Sequence, residues 1–142
     1  MVKSITIPDS VTEIGDNAFY KCTGLTSVVI PDSVTKIGGG AFSDCEKLAF
    51  ITIPSSITSI SSYLFSGCTK LTSVVIPDSV TEIGGGAFQC CSSLESVTIP
   101  NSVTSIEKYA FASCSSLKSV SIPKNLEYPS SAFPEDTTIN LH

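Results

Sequence analysis

The six cysteines have the widest chemical range of any side chains in this sequence, and their spacing limits what they can do. Five of them recur at one fixed interval: Cys22, Cys45, Cys68, Cys91 and Cys114. This interval is far longer than the Cys-x-x-Cys spacing of a zinc site, and stacked cysteines with parallel Cβ directions give a poor disulfide torsion angle. We therefore expect buried free thiols that pack as small apolar side chains. Cys90 lies outside the row, and we expect it to be exposed and reactive.

The other reactive residues do not assemble a catalytic site. The only histidine is His142, the last residue, which we expect to be disordered. Without an internal histidine, neither a Ser-His nor a Cys-His pair can form. Glycine triplets such as residues 38–40 lack the lysine that follows in a phosphate-binding loop. The sequence therefore predicts no catalysis and no bound cofactor or metal ion.

Two polar rows recur with the same period. One row follows the Ile-Pro pairs: Asp9, Asp32, Ser55, Asp78 and Asn101. These residue types suit hydrogen bonds to the backbone of a turn, and the interruptions by serine and asparagine disfavour a calcium site. The other row consists of threonines: Thr12, Thr35, Thr58, Thr81 and Thr104. Hydrogen bonds along a strand ladder explain this row more simply than ice binding does.

All of these residues are positioned by a sequence repeat of constant length. The Ile-Pro pairs begin at Ile7, Ile30, Ile53, Ile76, Ile99 and Ile122. The aromatic column is equally regular: Phe19, Phe42, Phe65, Phe88 and Phe111. A fixed period between about 20 and 50 residues predicts a stacked array, in which each repeat buries its apolar edge against its neighbours.

The pattern within a repeat predicts the local structure. β-Branched residues with period two precede each proline and predict short parallel strands, which end at the proline because it lacks the ladder N–H. A second short extended piece, V-T-x-I, follows. We expect the A-F-x-x-C segment to form a single helical turn, because residues three apart share a helix face.

The repeats divide a single domain, residues 1–142, into regular and degenerate parts. The regular repeats are 2–24, 25–47, 48–70, 71–93 and 94–116, and 117–142 is a degenerate C-terminal capping turn. In that turn Phe133 arrives one residue early and the cysteine is missing, and one more strand is expected at Thr138–Asn140. The first repeat has no comparable cap, so its open strand edge predicts a preceding segment or end-to-end association.

Composition excludes several classes of partner. The net charge is −5 and the eight basic residues are scattered lysines, so the basic footprint of a nucleic-acid-binding protein is missing. No apolar run approaches the ~20 residues of a membrane span, and no membrane insertion is expected. Met1 leads directly into the first repeat, without a signal peptide or anchor. The chain is therefore expected to be either cytoplasmic or the repeat segment of a longer secreted protein.

A binding surface must use the positions between the buried columns of the strands. Phe50 is the one aromatic residue in a row of serines, and Val29 and Val75 interrupt the neighbouring row of threonines. The candidate binding residues are Val29, Phe50, Thr52, Val75, Glu95, Thr98 and Lys118. Exposed aromatic residues of this kind are typical binding anchors, although single exposed apolar residues also occur without any function.

The columns fit the pattern LxxIxLPxxLxxIGxxAFxxCxx from residue 2 to about residue 133. They resemble the BspA-like leucine-rich repeats of bacterial surface proteins. The resemblance implies a right-handed solenoid of about six turns with parallel strands on its concave side and the extended and helical segments opposite. It also implies a cell-surface or secreted location and a role in adhesion.

Two hypotheses for function follow. In the first, the chain is a non-enzymatic binding or adhesion module whose concave face recognises a protein or glycan partner, such as a host matrix protein. In the second, the chain is a structural spacer of a larger surface protein, or self-associates through its open N-terminal edge.

Overall fold

The computed structural model describes residues 3–142; Met1 and Val2, including the expected place of Val2 in the leucine column, lie outside this range. The chain forms a parallel β-solenoid with two strand ladders and almost no helix. The strands are β1 (Ser4–Thr6), β2 (Glu13–Ile14), β3 (Ser27–Val29), β4 (Lys36–Ile37), β5 (Ser59–Ile60), β6 (Glu82–Ile83), β7 (Ser96–Thr98), β8 (Ser105–Ile106), β9 (Ser119–Ile122) and β10 (Thr138–Leu141).

The first ladder is formed by the segments that precede each Ile-Pro pair. Strand β1 pairs with β3, a bridge joins Thr52 to Val75, and β7 pairs with β9, all in parallel and offset by one full repeat. Strand β10 continues the ladder on β9 with Thr138 opposite Ser119, so the last turn is shorter than the regular ones. The extra strand expected at Thr138–Asn140 is therefore confirmed, and it extends to Leu141.

The second ladder is formed by the V-T-x-I segments and consists of two sheets, β2–β4 and β5–β6–β8. The threonine row runs beside it and reinforces it as predicted. The Thr35 hydroxyl donates to the Thr12 carbonyl at 3.3 Å, and the Thr81 hydroxyl donates to the Thr58 carbonyl at 3.2 Å. At the junction between the two sheets, the Ser61 hydroxyl donates to the Ile37 carbonyl.

The single helical turn predicted for the A-F-x-x-C segment is wrong. In the second repeat the segment is a chain of consecutive turns, in which Ser43 N–H donates to the Gly40 carbonyl at 3.0 Å. The amides between these turns donate instead to the next repeat, as Phe42 N–H does to the Leu64 carbonyl at 3.0 Å. A helix would use all of these amides within the segment, whereas alternating turns leave every second amide for the neighbouring repeat. Among the described residues the only helix is a 3-10 turn at Ser130–Ala132.

The phenylalanine column forms a continuous stack through the core. Neighbouring rings lie nearly parallel with centroids 4.9 to 5.8 Å apart. The stack runs through Phe19, Phe42, Phe65, Phe88, Phe111 and Phe133. Phe133 joins it although its position in the sequence is shifted by one residue. Tyr128 packs edge-on against Phe133 at 5.3 Å, and this contact closes the C-terminal end of the stack.

The ring stack predicts a large difference between two phenylalanines of the same repeat. Phe65 is fully buried between two rings, whereas Phe50 is 60% exposed. We expect Phe65→Ala to lower the free energy of unfolding by ~3–5 kcal/mol because it leaves a cavity in the stack. Phe50→Ala is the matched control and should change it by less than about 0.5 kcal/mol. Urea unfolding measures both, and a loss below about 1 kcal/mol for Phe65→Ala would contradict an interior role for the stack.

Candidate functional site

The first ladder presents one face to the core and the other to solvent. In β3, Val28 is buried while Val29 on the outer side is 59% exposed, as the period of two in a strand requires. We call the outward side of this ladder the strand face; it is defined by the outward residues of the six repeats and of β10. All seven candidate binding residues are exposed on it or at its margin. Their role in binding stays a prediction.

Three apolar residues on consecutive repeats form a patch on the strand face. Phe50 is 60% exposed and Val75 in the following repeat is 78% exposed. Val29, in the repeat before Phe50, is the third exposed apolar side chain. Val75 is bridged to Thr52 in the neighbouring repeat. Adjacent strands lie about 4.8 Å apart, so the three side chains cover about 10 Å of the face. We call Val29, Phe50 and Val75 the apolar patch.

Glu95 and Lys118 lie side by side where the strand face begins. The Lys118 N–H donates to the Glu95 carbonyl at 3.0 Å, so the two residues are neighbours across the ladder. Thr98 follows in β7, in register with Ser121 of β9. An acidic and a basic residue are therefore neighbours across the ladder at this margin, with Glu95 two repeats and Lys118 three repeats from Phe50.

His142 is ordered by backbone pairing, and the expectation of disorder is wrong. Its N–H donates to the Ile122 carbonyl at 2.9 Å, and its own carbonyl accepts from the Lys124 N–H at 3.1 Å. The ring Nε2 lies 2.8 Å from the Ile99 carbonyl, so this nitrogen carries the proton and donates it. His142 thus closes one end of a groove of about 540 Å³. The groove is lined by Ser73–Ile76, which includes Val75, and by Ser96–Thr98.

Three exposed tyrosines mark a second surface that sequence reasoning missed. Tyr20, Tyr63 and Tyr109 are each about half exposed, and they lie where the turns follow the second ladder. Tyr63 and Tyr109 have positive φ angles of 59° and 64°. They occupy a column whose other regular members are Asn17, Gly40 and Gly86. The sequence did contain a signal for this surface, because two bulky tyrosines interrupt a column of otherwise small residues.

Two grooves of similar size separate these tyrosines. One groove of about 580 Å³ lies between Tyr63 and Tyr109, with Ser61, Ser62 and Gly84 in its lining. The other, of about 540 Å³, lies between Tyr20 and Tyr63. Tyr63 lines both. We call these three tyrosines and the two grooves the tyrosine face.

Four of the five cysteines of the row are buried, free and hydrogen bonded, as expected, whereas Cys22 in the first repeat is only partly buried. Each of four thiols donates to the carbonyl of a phenylalanine in the preceding repeat at 3.1 to 3.2 Å, for example Cys68 to Phe42. Burial raises the pKa of the Cys45 thiol to about 11 and that of Cys114 to about 12. It also raises the pKa of Cys68 and Cys91. Cys90 is exposed, and its reactivity stays a prediction.

Within residues 3–142, no group of three or more histidine, cysteine or acidic side chains is arranged to hold a metal ion. The same part of the chain contains no helix with the length and apolar character needed to cross a membrane.

The two parallel ladders, their constant offset and the buried columns define a leucine-rich-repeat solenoid. The sequence matches the BspA type leucine rich repeat region in six copies, over residues 1–63 and 40–141. The chain therefore belongs to the BspA type leucine-rich repeat family. No curated protein matches the chain.

Solved structures of bacterial leucine-rich repeat proteins share the fold. A cell surface protein of Faecalibacterium prausnitzii is 40% identical, with a TM-score of 0.81 over 92% of this chain and 33% of its own. A protein of Bacteroides ovatus is 30% identical, with a TM-score of 0.83 over 99% of this chain and 45% of its own. The leucine-rich repeat protein of T. pallidum is 33% identical, with a TM-score of 0.82 over 96% of this chain and 72% of its own. This chain thus spans less than half the length of the first two proteins.

The raised thiol pKa values predict that stability falls at alkaline pH. The folded chain keeps Cys45 protonated up to about pH 11, whereas the unfolded thiol ionises near its ordinary value of 9.0. The stability that this thiol contributes is fully present below pH 9 and is lost between pH 9 and about 11. We expect the free energy of unfolding to decline over this range, and urea melts at a series of pH values measure it.

Two alanine variants separate the buried thiols from other alkaline groups. Cys45→Ala should make the decline shallower, whereas Val34→Ala, at a buried residue that does not titrate, should leave its slope unchanged. Equal slopes for the two variants would contradict the assignment of the pH dependence to the buried row.

Proposed function

We propose that this chain is a non-enzymatic binding module of a cell-surface or secreted microbial protein, and that its strand face holds a protein partner. The observation that carries the proposal is the apolar patch, because Val29, Phe50 and Val75 are exposed on consecutive repeats. The equivalent outward positions elsewhere on the strand face are serine, threonine or asparagine.

The chemistry of the patch favours a protein over a glycan at this face. Two valines and a phenylalanine offer apolar contact but few groups that can hydrogen bond to sugar hydroxyls. Burying three such side chains contributes about 5–9 kcal/mol of transfer free energy, from which the loss of translational and rotational freedom must be subtracted. Glu95 and Lys118 lie at the margin, where polar groups set orientation more than affinity.

The surface location and the adhesive role rest on similarity. The similar Faecalibacterium prausnitzii protein is described as a cell surface protein. Leucine-rich repeats are typically protein-binding domains, and an extended ladder offers a long, regular contact surface. A host matrix protein is the class of partner that we propose to test first.

The alternative function is that of a spacer that associates end to end. Among the described residues β1 pairs with β3 only, so one edge of β1 is open to pairing. Ile5, Val11 and Phe19 are only partly buried at this end of the core. A second copy or another repeat segment placed there would continue both ladders and the ring stack.

Substituting the central anchor tests the proposed binding face. Phe50→Glu places a charge in the apolar patch, and we expect it to weaken binding to a purified matrix protein at least about tenfold, the loss expected for a central anchor. The thermal unfolding midpoint should not change, because Phe50 lies outside the core. Biolayer interferometry with immobilised chain and a panel of purified matrix proteins measures the affinity.

Thr58→Glu is the matched control, since it introduces the same charge in the same repeat at an exposed residue beside the second ladder, outside the strand face and the tyrosine face. It should leave binding to the matrix protein intact. If Phe50→Glu and Thr58→Glu had equal effects, or if no matrix protein bound, the proposal for the strand face would fail. Light scattering at several concentrations tests the spacer, and a monomer at all concentrations would argue against end-to-end association.

A further inference from the structure

We propose that the tyrosine face is a second binding site, and that it takes a neutral oligosaccharide chain. The site goes beyond the proposed function of the strand face, with which its two grooves share no lining residue. Three observations carry the proposal: the placement of the tyrosine rings, the lining of the grooves and the charge around them.

The tyrosine rings provide platforms for the apolar faces of sugar rings. Tyr63 and Tyr109 stand two repeats apart in sequence, which corresponds to about 10 Å along the stack of strands. The C–H face of a pyranose ring is apolar and packs on an aromatic ring, whose face carries a negative quadrupole. Two rings at this separation can hold two sugar units that are not directly adjacent along a chain.

The Tyr63 ring is held in place by the repeat that follows it. A Cβ atom built on Gly86 would lie 2.5 Å from Tyr63 Cε1, so the ring rests directly on the Gly86 backbone. Gly86 has a φ of +63°, a conformation that glycine adopts without strain. The Tyr63 N–H donates to the Gly85 carbonyl at 3.0 Å. The ring is therefore positioned before any ligand arrives, which reduces the entropy lost on binding.

The lining of the grooves suits hydroxyl groups. The first groove is lined by Ser61, Ser62, Gly84 and Gly85. The Ser61 hydroxyl already donates to the Ile37 carbonyl, and the Gly85 carbonyl already accepts from the Tyr63 N–H. The exposed Ser62 hydroxyl and the second lone pair of the Gly85 carbonyl are therefore the groups offered to a ligand. Hydroxyls both donate and accept hydrogen bonds, as sugar hydroxyls do. A peptide ligand would instead favour an open strand edge or apolar pockets for its side chains, and serine and glycine walls offer little of either.

The charge around the grooves disfavours an anionic chain. Glu82, Glu107 and Lys108 line the first groove, and Asp16 lines the second. Lys21 Nζ lies 5.3 Å from the centroid of the Tyr20 ring, so the sum is three acidic groups against two basic groups, within a chain of net charge −5. A sulfated or uronic-acid polymer would be repelled, whereas a neutral glycan would find carboxylates that accept hydrogen bonds from its hydroxyls.

The second groove indicates an extended ligand. Tyr63 lines both grooves, and Tyr20 stands at the far side of the second one, nearly two repeats before Tyr63 in the sequence. Three tyrosine rings along one surface match an extended oligosaccharide chain. We expect a hexasaccharide to contact all three tyrosines, and a trisaccharide, whose first and third units are not adjacent, to contact only Tyr63 and Tyr109.

Tyrosine fluorescence tests the site directly, because the chain contains four tyrosines and no tryptophan. The probes are neutral hexasaccharides of β-linked and α-linked hexoses and of N-acetylhexosamine, each at up to about 1 mM. We expect at least one of them to change the fluorescence. Tyr63→Ala and Tyr109→Ala should weaken that binding at least about fivefold, as the loss of a central aromatic anchor does.

Matched variants separate stacking from other effects. Tyr63→Phe keeps the ring and should keep most of the affinity, and Phe50→Glu on the strand face should leave glycan binding unchanged. Tyr20→Ala should weaken the binding of the hexasaccharide but not that of a trisaccharide. The proposal is overturned if no neutral hexasaccharide binds, if a sulfated analogue binds more tightly than its neutral parent, or if Tyr63→Ala binds as the unaltered chain does. Because Phe50→Glu is measured in parallel, failure here is distinguishable from failure of the strand-face proposal.

Discussion

Every repeat of this solenoid has to match its neighbours twice, once through backbone hydrogen bonds and once through its core side chains. Parallel strands are held about 4.8 Å apart by their ladder bonds. The phenylalanine rings stack with centroids 4.9 to 5.8 Å apart. The two spacings are close enough for one rise per repeat to satisfy both, and this match allows the same residue types to recur turn after turn.

The alternating turns beside the ring stack follow from the same constraint. A segment that bonded all its amides internally would leave nothing to join it to the next repeat. By using left-handed residues such as Gly40 and Asp44, the chain directs every second amide towards its neighbour. The cysteine thiols add a further link, since each donor reaches a phenylalanine carbonyl in the preceding repeat. Core positions therefore vary mainly among apolar residues, as where Leu64 replaces a buried alanine, and changes of chemical type fall on residues that point outwards.

The departures from the repeat are consequently the most informative residues for function. Phe50 replaces a serine on the strand face, while Tyr63 and Tyr109 replace small residues in a turn column. None of the three is required by the stack, because each is at least half exposed. The two groups differ in their surroundings: valines accompany Phe50, whereas serines, glycines and carboxylates surround the tyrosines. This difference is the reason for assigning a protein to one surface and a glycan to the other.

The amino-acid sequence was sufficient to predict the period, the buried columns, the two extended segments of each repeat and the exposure of Phe50, because the same local pattern recurs in six repeats. The sequence was also sufficient to predict that the cysteines stacked inside the array, Cys45, Cys68, Cys91 and Cys114, are buried as free thiols, since a stack of parallel side chains leaves them few alternatives. The conformation of the A-F-x-x-C segment could not be predicted in this way, because half of its amides donate to the neighbouring repeat. A helix prediction considers only the hydrogen bonds within one segment. That His142 is ordered likewise could not be predicted, because it depends on the pairing of β10 with β9 across a shortened last turn. The tyrosine face, too, emerged only in three dimensions, since Tyr20 and Tyr63 stand in different columns and meet across a groove that no single repeat contains.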